Sequence, residues 1–234
     1  MTTPNDSDSL RREMQQFLYA VSHDLQEPFR KVRTFSQRLA AGLGEQLDEH
    51  ARGDLERILS AAERGQGMIE GLLVLSRLET HAGPVTQVDL NETLAAVCED
   101  LAEKIHSACA VISIEPLPII RARADQMRLL FTSLLDNALK FQLVDIPASI
   151  RVFTEAPGTG PECRIVVEDN GIGLEEQYAD RVFTVFQRLH PRDVYPGLGL
   201  GLAYCRKIVD RHQGSIRYQK GPENGTRFIV TLPV

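Results

Sequence analysis

The sequence predicts a chain of the α+β class: a long helical hairpin followed by a two-layer domain of strands and helices. Two observations support this prediction. From residue 10 to about residue 78, apolar residues recur at steps of three and four, the spacing of one face of a helix. After residue 84, short β-type runs alternate with helical segments, which is typical of helices packed on one side of a sheet.

Composition limits the classes of function. The chain has 234 residues, with 26 Lys and Arg against 32 Asp and Glu, and its net charge of −6 argues against nucleic-acid binding through phosphate neutralisation. Because no apolar stretch reaches about 18 residues, we expect no membrane span. The first residues lack the pattern of a secretion signal. The four cysteines form no C-x-x-C pair, which indicates reduced thiols and a cytoplasmic location.

The first element is predicted to be a long helix that follows a disordered, polar N-terminus at residues 1–9. Its apolar stripe consists of Leu10, Met14, Phe17, Val21, Leu25, Pro28, Val32, Phe35 and Leu39. Gly42 and Gly44 interrupt this pattern, and a second helical series runs from Leu55 to Ser76 with heptad-like steps. Residues 10–80 are therefore predicted to form an antiparallel hairpin. Its spare apolar surface predicts a homodimeric four-helix bundle.

One histidine on the first helix has an unusual setting. His23 lies between Val21 and Leu25 of the stripe, and at about 100° per residue its side chain is predicted to face solvent. Asp24 follows it and can bias the charge and tautomer of an imidazole. Pro28 removes the hydrogen bond to the carbonyl of Asp24, so we expect a kink there. An exposed histidine is usually a plain surface residue, but this setting makes His23 a candidate functional group.

Residues 81–84 are predicted to be a linker and residues 85–234 a second domain. Its expected helices span residues 91–109, 124–142 and 201–213. Its expected strands span residues 111–115, 119–121, 149–154, 163–168, 215–218 and 227–232. Asn91 is the predicted N-cap of the first of these helices. Turns are predicted at residues 157–161 and 221–225, where proline and glycine cluster.

Two polar segments of the second domain point to a nucleotide. Asn137 and Lys140 are three residues apart on a predicted helix and share a face. An amide oxygen that ligates Mg²⁺ and an ammonium that binds phosphate would therefore lie together. Asp169 follows a strand and can accept a hydrogen bond from the exocyclic amine of adenine. Gly171 and Gly173 let the chain turn close to the ring.

The third segment carries glycine at every second position directly before a helix, at Gly197, Gly199 and Gly201. The N–H groups at such a helix start bind phosphate oxygens. The spacing fits neither a Walker A loop nor a dinucleotide fingerprint. Each of these segments alone is common in loops without a ligand, whereas the three in this order are far more specific.

From about residue 17 to its end, the chain resembles the sensor histidine kinases, with an H box closest to the phytochrome-like version. The matching segments are the H box (residues 22–28), the N box (137–141), the G1 box (169–173), the F box (183–186), the G2 box (197–201) and a last short motif at residues 225–226. The resemblance implies a dimerisation and phosphotransfer hairpin, followed by an α/β-sandwich ATP-binding domain of the type shared with gyrase and Hsp90.

The resemblance also implies site residues. His23 would be autophosphorylated, and Asp24 would be the acid that helps to activate it. ATP would be the phosphoryl donor, with Mg²⁺ held by Asn137. Arg188, in a short mobile lid at residues 187–196, is a candidate for reaching the γ-phosphate. The remaining nucleotide-binding residues implied are Lys140 and Phe141, Asp169 for adenine, Gly171, Gly173, Gly197, Gly199, Gly201 and Thr226.

The function implied is an ATP-dependent protein-histidine kinase that passes its phosphoryl group to the receiver domain of a response regulator. Since fewer than two dozen residues precede His23, we expect input from an upstream sensor protein or from a sensor domain outside this chain. One alternative is a non-catalytic phosphotransfer or scaffold protein, because Ser133 and Leu198 replace the usual Asn and Thr of two boxes. A gyrase-type ATPase or an anti-sigma-type serine kinase is a second alternative, but such proteins lack the hairpin.

Overall fold

The computed structural model describes residues 4–80, 83–155, 162–192 and 194–234, without the side chains of residues 4–20, 23, 45, 80 and 223. It contains two compact units, Met1–Thr80 and His81–Val234, named here the helical unit and the sandwich unit. The predicted turn at residues 157–161 lies outside the described residues. Within the described ranges, every helix is too short or too polar to cross a lipid bilayer.

The helical unit confirms the predicted hairpin of two long helices. Helix α1 spans Pro4–Leu43 and helix α2 spans Glu49–Thr80, with a 3-10 turn at Gly44–Gln46 between them. Helix α1 begins at Pro4 rather than Leu10, so it includes residues that the sequence assigns to a disordered N-terminus, and it runs without a break through Pro28. Helix α2 starts where the side chain of Asp48 accepts a hydrogen bond from the Ala51 N–H at 2.7 Å.

The two helices approach closely at a glycine. A Cβ on Gly65 of α2 would overlap the ring of Phe29 on α1, so this ring occupies the space that the glycine leaves. Among the hairpin residues whose side chains are described, the buried apolar ones are Ala62, Ile69 and Leu78. Part of the apolar stripe remains exposed within one chain, at Leu25, Val32, Phe35 and Leu39, and Leu43 and Ile58 of the hairpin are exposed as well. The homodimer predicted from this spare surface remains a prediction.

The sandwich unit contains four α-helices and seven strands within its described residues. The helices are α3 (Leu90–Asp100), α4 (Ala102–Ser107), α5 (Ala124–Lys140) and α6 (Gly201–Arg211). The strands are β1 (Thr86–Asp89), β2 (Val111–Ile114), β3 (Ile119–Ala122), β4 (Ser149–Glu155), β5 (Glu162–Asp169), β6 (Ser215–Lys220) and β7 (Thr226–Pro233). Short 3-10 turns lie at Glu176–Tyr178, Arg181–Phe183 and Pro222–Asn224.

Five strands form one mixed sheet in the order β2-β4-β5-β7-β6, in which β2 and β4 are parallel and the other neighbours are antiparallel. Helix α5 packs on β5, and α6 packs on β6 and β7. Side chains alternate between the two faces of a strand, so Ile165 and Val167 of β5 lie on the helix-covered face with the fully buried Phe131 of α5. This arrangement confirms the predicted two-layer sandwich.

The structure corrects the start of the first helix of this unit. The N-cap of α3 is Asp89, whose side chain accepts a hydrogen bond from the Asn91 N–H at 2.7 Å. Hydrogen bonds from Asn91 lower the pKa of Asp89. Asn91 instead bonds the backbone N–H and carbonyl of Leu117, both at 2.9 Å. The predicted helix also divides at Leu101 into α3 and α4.

All four cysteines are free thiols, as predicted. Cys163 and Cys205 are buried, Cys98 is half-buried and Cys109 is exposed. Burial raises the pKa of Cys98, Cys163 and Cys205. The three shielded thiols are therefore poor nucleophiles at neutral pH, because the thiolate is the reactive form.

Candidate nucleotide-binding site

Asp169 ends strand β5 and is only 7% exposed. Its Oδ1 accepts two hydrogen bonds, from the Gly171 N–H at 2.9 Å and from the Thr226 N–H at 3.1 Å. Burial raises the pKa of Asp169 to about 6, although these hydrogen bonds oppose the shift. The site thus contains a buried carboxylate that two backbone N–H groups orient, and its raised pKa still lies below neutral pH.

The chain folds closely around this carboxylate because glycine occupies two crowded positions. A Cβ on Gly225 would overlap the carbonyl oxygen of Asp169, and a Cβ on Gly171 would overlap the carbonyl oxygen of Phe141. The same Phe141 carbonyl accepts a hydrogen bond from the Ile172 N–H at 2.9 Å. Residues 169–173 are thereby joined to the end of α5, and Gly173 lies directly against Asn224.

The polar face of α5 supplies the second part of the site. Asn137 and Lys140 lie in its last turns, both half-buried, and Phe141 follows as the C-cap residue. Lys140 Nζ lies 4.7 Å from the centre of the Phe141 ring. Burial and the charge of Arg188 lower the pKa of Lys140, while Asp136 opposes the shift. In the described part of the chain, Lys140 forms no ion pair, so its ammonium is not matched with a carboxylate in the recess that Asp169, the end of α5 and the glycine run border.

Arg188 organises the lid from within. Its guanidinium donates hydrogen bonds to the carbonyl oxygens of Tyr195 at 2.7 Å, His190 at 3.3 Å and Gly197. Burial and the charge of Arg192 lower the pKa of Arg188. To reach a γ-phosphate as predicted, Arg188 would have to exchange these backbone partners for the phosphate.

Aromatic side chains hold the lid against the end of α5. The ring centres of Phe141 and Tyr195 are 4.9 Å apart, those of Phe141 and His190 are 5.6 Å apart, and those of His190 and Tyr195 are 5.3 Å apart. Sequence reasoning missed His190 and Tyr195. The available signal was an aromatic residue placed directly before Pro196 and the glycine run.

The glycine run passes from the lid into α6. Gly199 has a φ of +73°, and its carbonyl accepts a hydrogen bond from the Phe186 N–H at 2.9 Å, so the left-handed turn needs glycine. A Cβ on Gly197 would lie 2.6 Å from Lys140 Nζ. Gly201 begins α6 against Ser133 of α5. The structure therefore brings the glycine run to the face of α5 that carries Lys140.

An open cavity of about 560 Å³ lies beside the lid. It is lined by Lys140 of α5, by Tyr195 of the lid and by Cys109, which follows α4. The loop between α5 and β4 supplies apolar residues, including Val144 and Ile146, which are 83% and 49% exposed. Lys140 thus borders both this cavity and the glycine run.

The predicted catalytic pair lies in the other unit. His23 is a residue of α1, and its side chain lies outside the described residues. Asp24 is exposed on the same helix. The predicted roles of both residues remain predictions.

The residues present fit a magnesium ion that is held mainly by phosphate. Among the described residues, no group of three or more His, Cys, Asp or Glu side chains is placed to hold a metal. The Asn137 amide makes no hydrogen bond to any described residue, so its oxygen is available. Mg²⁺ commonly takes one or two protein oxygens and completes its shell with phosphate and water.

Comparison with known proteins identifies both units. Residues 13–81 match the His Kinase A (phospho-acceptor) domain, and residues 122–234 match the Histidine kinase-, DNA gyrase B-, and HSP90-like ATPase family. Cyanobacterial phytochrome A of Nostoc sp. is 34% identical over 230 residues, which cover 98% of this chain and 30% of that protein. Sensor protein KdpD of Escherichia coli is 30% identical over 218 residues, which cover 92% of this chain and 24% of that protein.

Two solved structures are similar in fold. Full-length ShkA in complex with AMPPNP has a TM-score of 0.68 at 22% identity, over 93% of this chain and 45% of that chain. The catalytic domain of histidine kinase ThkA has a TM-score of 0.55 at 25% identity, over 64% of this chain and 98% of that domain. The chain spans about a third of the length of the phytochromes that it matches.

Proposed function

This chain belongs to the histidine kinases, of which it comprises the phospho-acceptor and ATPase domains, and on that basis we propose that it is an ATP-dependent protein-histidine kinase. The phosphorylated residue is His23. The phosphoryl group then passes to an aspartate in the receiver domain of a response regulator. Input comes from an upstream sensor protein or from a sensor domain outside this chain.

The observation that carries this proposal is the orientation of Asp169. A buried carboxylate with one oxygen held by two backbone N–H groups is prearranged to accept a hydrogen bond from an adenine amine. Because the carboxylate is already desolvated and fixed, the nucleotide does not have to order it on binding. Asp169 therefore selects adenine in our proposal.

The phosphate end of the site is marked by unneutralised charge. Lys140 and Arg188 are close enough that the charge of Arg188 lowers the pKa of Lys140. A triphosphate between them would relieve this repulsion. Asn137 would hold Mg²⁺, which supplies charge neutralisation on the phosphate oxygens when bound. These intact groups favour the kinase over a scaffold with a degenerate ATP domain.

Phosphoryl transfer asks the protein mainly for positioning and charge neutralisation. In the proposed step, an unprotonated ring nitrogen of His23 attacks the γ-phosphorus. A nitrogen–phosphorus bond forms, the bond from phosphorus to the bridging oxygen breaks, and ADP leaves. An ordinary imidazole with a pKa of about 6.5 is mostly unprotonated at neutral pH. Asp24 helps to activate His23. A homodimer forms through the exposed apolar residues of the helical unit.

Incubation with γ-labelled ATP and Mg²⁺ tests the proposal. We expect acid-labile label on the unaltered chain and none on the His23→Ala or Asn137→Ala variant. The matched control is His50→Ala, which removes an exposed histidine of α2 and should keep the label. Acid-stable label would indicate a hydroxyl acceptor instead. A dimer that binds no nucleotide and takes up no label would favour the scaffold alternative.

A further inference from the structure

Directly behind Asp169, on the opposite face of the sheet, lies a second buried carboxylate. Glu168 is 5% exposed and precedes Asp169 on β5. Because consecutive strand residues point to opposite faces, Glu168 faces away from the helices and from the nucleotide recess. It lies in the centre of the sheet, paired in register with Arg151 of β4 and Arg227 of β7.

Both neighbouring arginines bind Glu168. Arg227 donates from Nε to Oε2 at 2.8 Å, and its Nη2 contacts the same oxygen. Arg151 lies 3.5 Å from Oε1 on the other side and also donates to Glu115 at 3.1 Å. A buried carboxylate needs such partners because its charge is costly to desolvate. The cluster therefore ties three adjacent strands together at one level of the sheet.

The arginines also cover an apolar patch on this face. The guanidinium of Arg151 lies 5.0 Å and that of Arg227 6.0 Å from the centre of the Phe153 ring. Phe153 pairs in register with Val166, which in turn pairs with Ile229, and these two residues are 0% and 1% exposed. Both arginines therefore contact Glu168 and approach the Phe153 ring at the same time.

The ion pair of Glu168 and Arg227 lies at the same end of strands β5 and β7 as Asp169, the carboxylate proposed to bind adenine. The last paired residues of β5 and β7 are Glu168 and Arg227. One step further along, the Thr226 N–H donates to Asp169 Oδ1. The ion pair therefore holds the two strand ends whose next residues create the hydrogen-bonded carboxylate.

We infer that Glu168 and Arg227 are positioning residues for nucleotide binding, which hold Asp169 and set the charge behind it through a buried ion pair on the far face of the sheet. This role rests on the proposed function. Neither residue touches the nucleotide. Glu168, directly behind Asp169, is the charged group that acts on it, whereas Tyr218 of β6 is neutral at neutral pH because burial, Glu176 and Asp169 raise its pKa.

The two residues should act on Asp169 with opposite sign. The charge of Glu168 favours protonation of Asp169. Replacing Arg227 with Gln leaves Glu168 less neutralised, so Asp169 should protonate at higher pH. Replacing Glu168 with Gln removes the negative charge and leaves Arg151 and Arg227 unopposed, so Asp169 should protonate at lower pH. If the two residues only stabilised the local structure, both variants would bind more weakly, and the pH at which Asp169 protonates would not move in opposite directions.

The experiment measures the affinity for Mg-ADP by calorimetry from about pH 5 to about pH 8, in the full chain. As the pH falls and Asp169 becomes protonated, ADP binding should weaken, and the pH at which it is half lost is named here the acid midpoint. Relative to the unaltered chain, we expect the acid midpoint to rise by about half a pH unit in Arg227→Gln and to fall by about as much in Glu168→Gln. The titration of ADP itself affects the unaltered chain and its variants equally, so it cancels in these differences. Arg217→Gln is the matched control, because it removes an exposed arginine from the same sheet face.

Shifts of the same sign, or no shifts, in variants that bind ADP would overturn the positioning role alone. Circular dichroism checks the fold of each variant. If Arg227→Gln does not fold, the isosteric Glu168→Gln decides, and an unchanged midpoint in that variant overturns the inference. Failure of the unaltered chain to bind ADP at any pH would overturn the proposed function and this role with it.

Discussion

Arg188 and Tyr195 are joined across the lid by a hydrogen bond of 2.7 Å from the guanidinium to the Tyr195 carbonyl oxygen. The same guanidinium bonds the carbonyl oxygens of His190 and Gly197. Three backbone groups thus depend on one planar side chain. The ring of Tyr195 in turn packs on Phe141, so the lid is also held against the end of α5.

The lid should loosen when Arg188 is replaced by Lys. An ammonium keeps the charge but lacks the planar fork that reaches several acceptors at once. In the absence of nucleotide, we expect faster amide hydrogen exchange across residues 187–197. Arg192→Lys, an exposed neighbour in the lid, serves as control. Equal exchange in Arg188→Lys and the unaltered chain would contradict this role.

Tyr195→Ala should weaken nucleotide binding through the lid. The variant loses ring contacts with Phe141 and His190, and one aromatic pair contributes about 1 kcal/mol. That energy corresponds to about a fivefold lower affinity for ADP, measurable by calorimetry. Val194→Ala is the control, because Val194 is 59% exposed. A similar loss in both variants would show that the aromatic contacts are unimportant.

Asp169→Asn should abolish most adenine recognition. The change removes the ionised acceptor, and a hydrogen bond to a charged group is worth about 1.5–3 kcal/mol, so we expect an affinity loss of about 10-fold to 100-fold. The thermal midpoint should change little, since the amide retains the shape of the carboxylate. Asp180→Asn, an exposed carboxylate outside the recess, is the control. Unchanged ADP affinity in Asp169→Asn would remove the main support for the proposed function.

His212 should make the sandwich unit sensitive to acid. Its Nε2 accepts from the Arg123 N–H at 3.2 Å, so Nδ1 carries the proton and donates to the Ile208 carbonyl at 2.8 Å. Burial lowers the pKa of His212 below its usual 6.5, and the charges of Arg123 and Arg211 add to this effect against the Ile208 bond and Asp125. Between pH 6.5 and the lower pKa of the folded state, His212 binds a proton in the unfolded chain but not in the folded chain.

The contribution of His212 to stability is therefore present above pH 6.5 and is lost as the pH falls toward its folded-state pKa. Urea unfolding measures it as the difference between the unaltered chain and His212→Gln. This difference should shrink from about pH 7.5 to about pH 5.5. The exposed His106→Gln should show no such trend. A difference that stays constant with pH would contradict the assignment.

Local patterns predicted those elements whose periodicity is strong. Helix α5 starts at the expected Ala124, and β5 differs from its prediction by one residue at each end. Strand β1 was missed because it has four residues and pairs with β3, far along the chain. The Asn91 cap was wrong because a carboxylate two residues earlier competes for the same N–H. Such outcomes depend on partners that a local pattern does not contain.

The site illustrates the same limit. The motifs indicate Asp169 and Thr226, but their hydrogen bond depends on the pairing of β5 with β7. Nothing in the spacing of the lid predicts that the Arg188 side chain donates to backbone carbonyl oxygens of nearby residues, since an arginine in a glycine-rich lid is equally compatible with a free side chain. The ion pair of Glu168 and Arg227 likewise follows from strand register.

The four cysteines differ in their exposure to solvent, which allows one of them to be labelled selectively. Cys109 is the exposed thiol of the four, and it borders the cavity that Tyr195 also lines. A maleimide fluorophore should therefore attach there first, without prior removal of the other cysteines. Its emission would respond to motion of the neighbouring lid, so a single labelled preparation could follow nucleotide arrival and departure in real time.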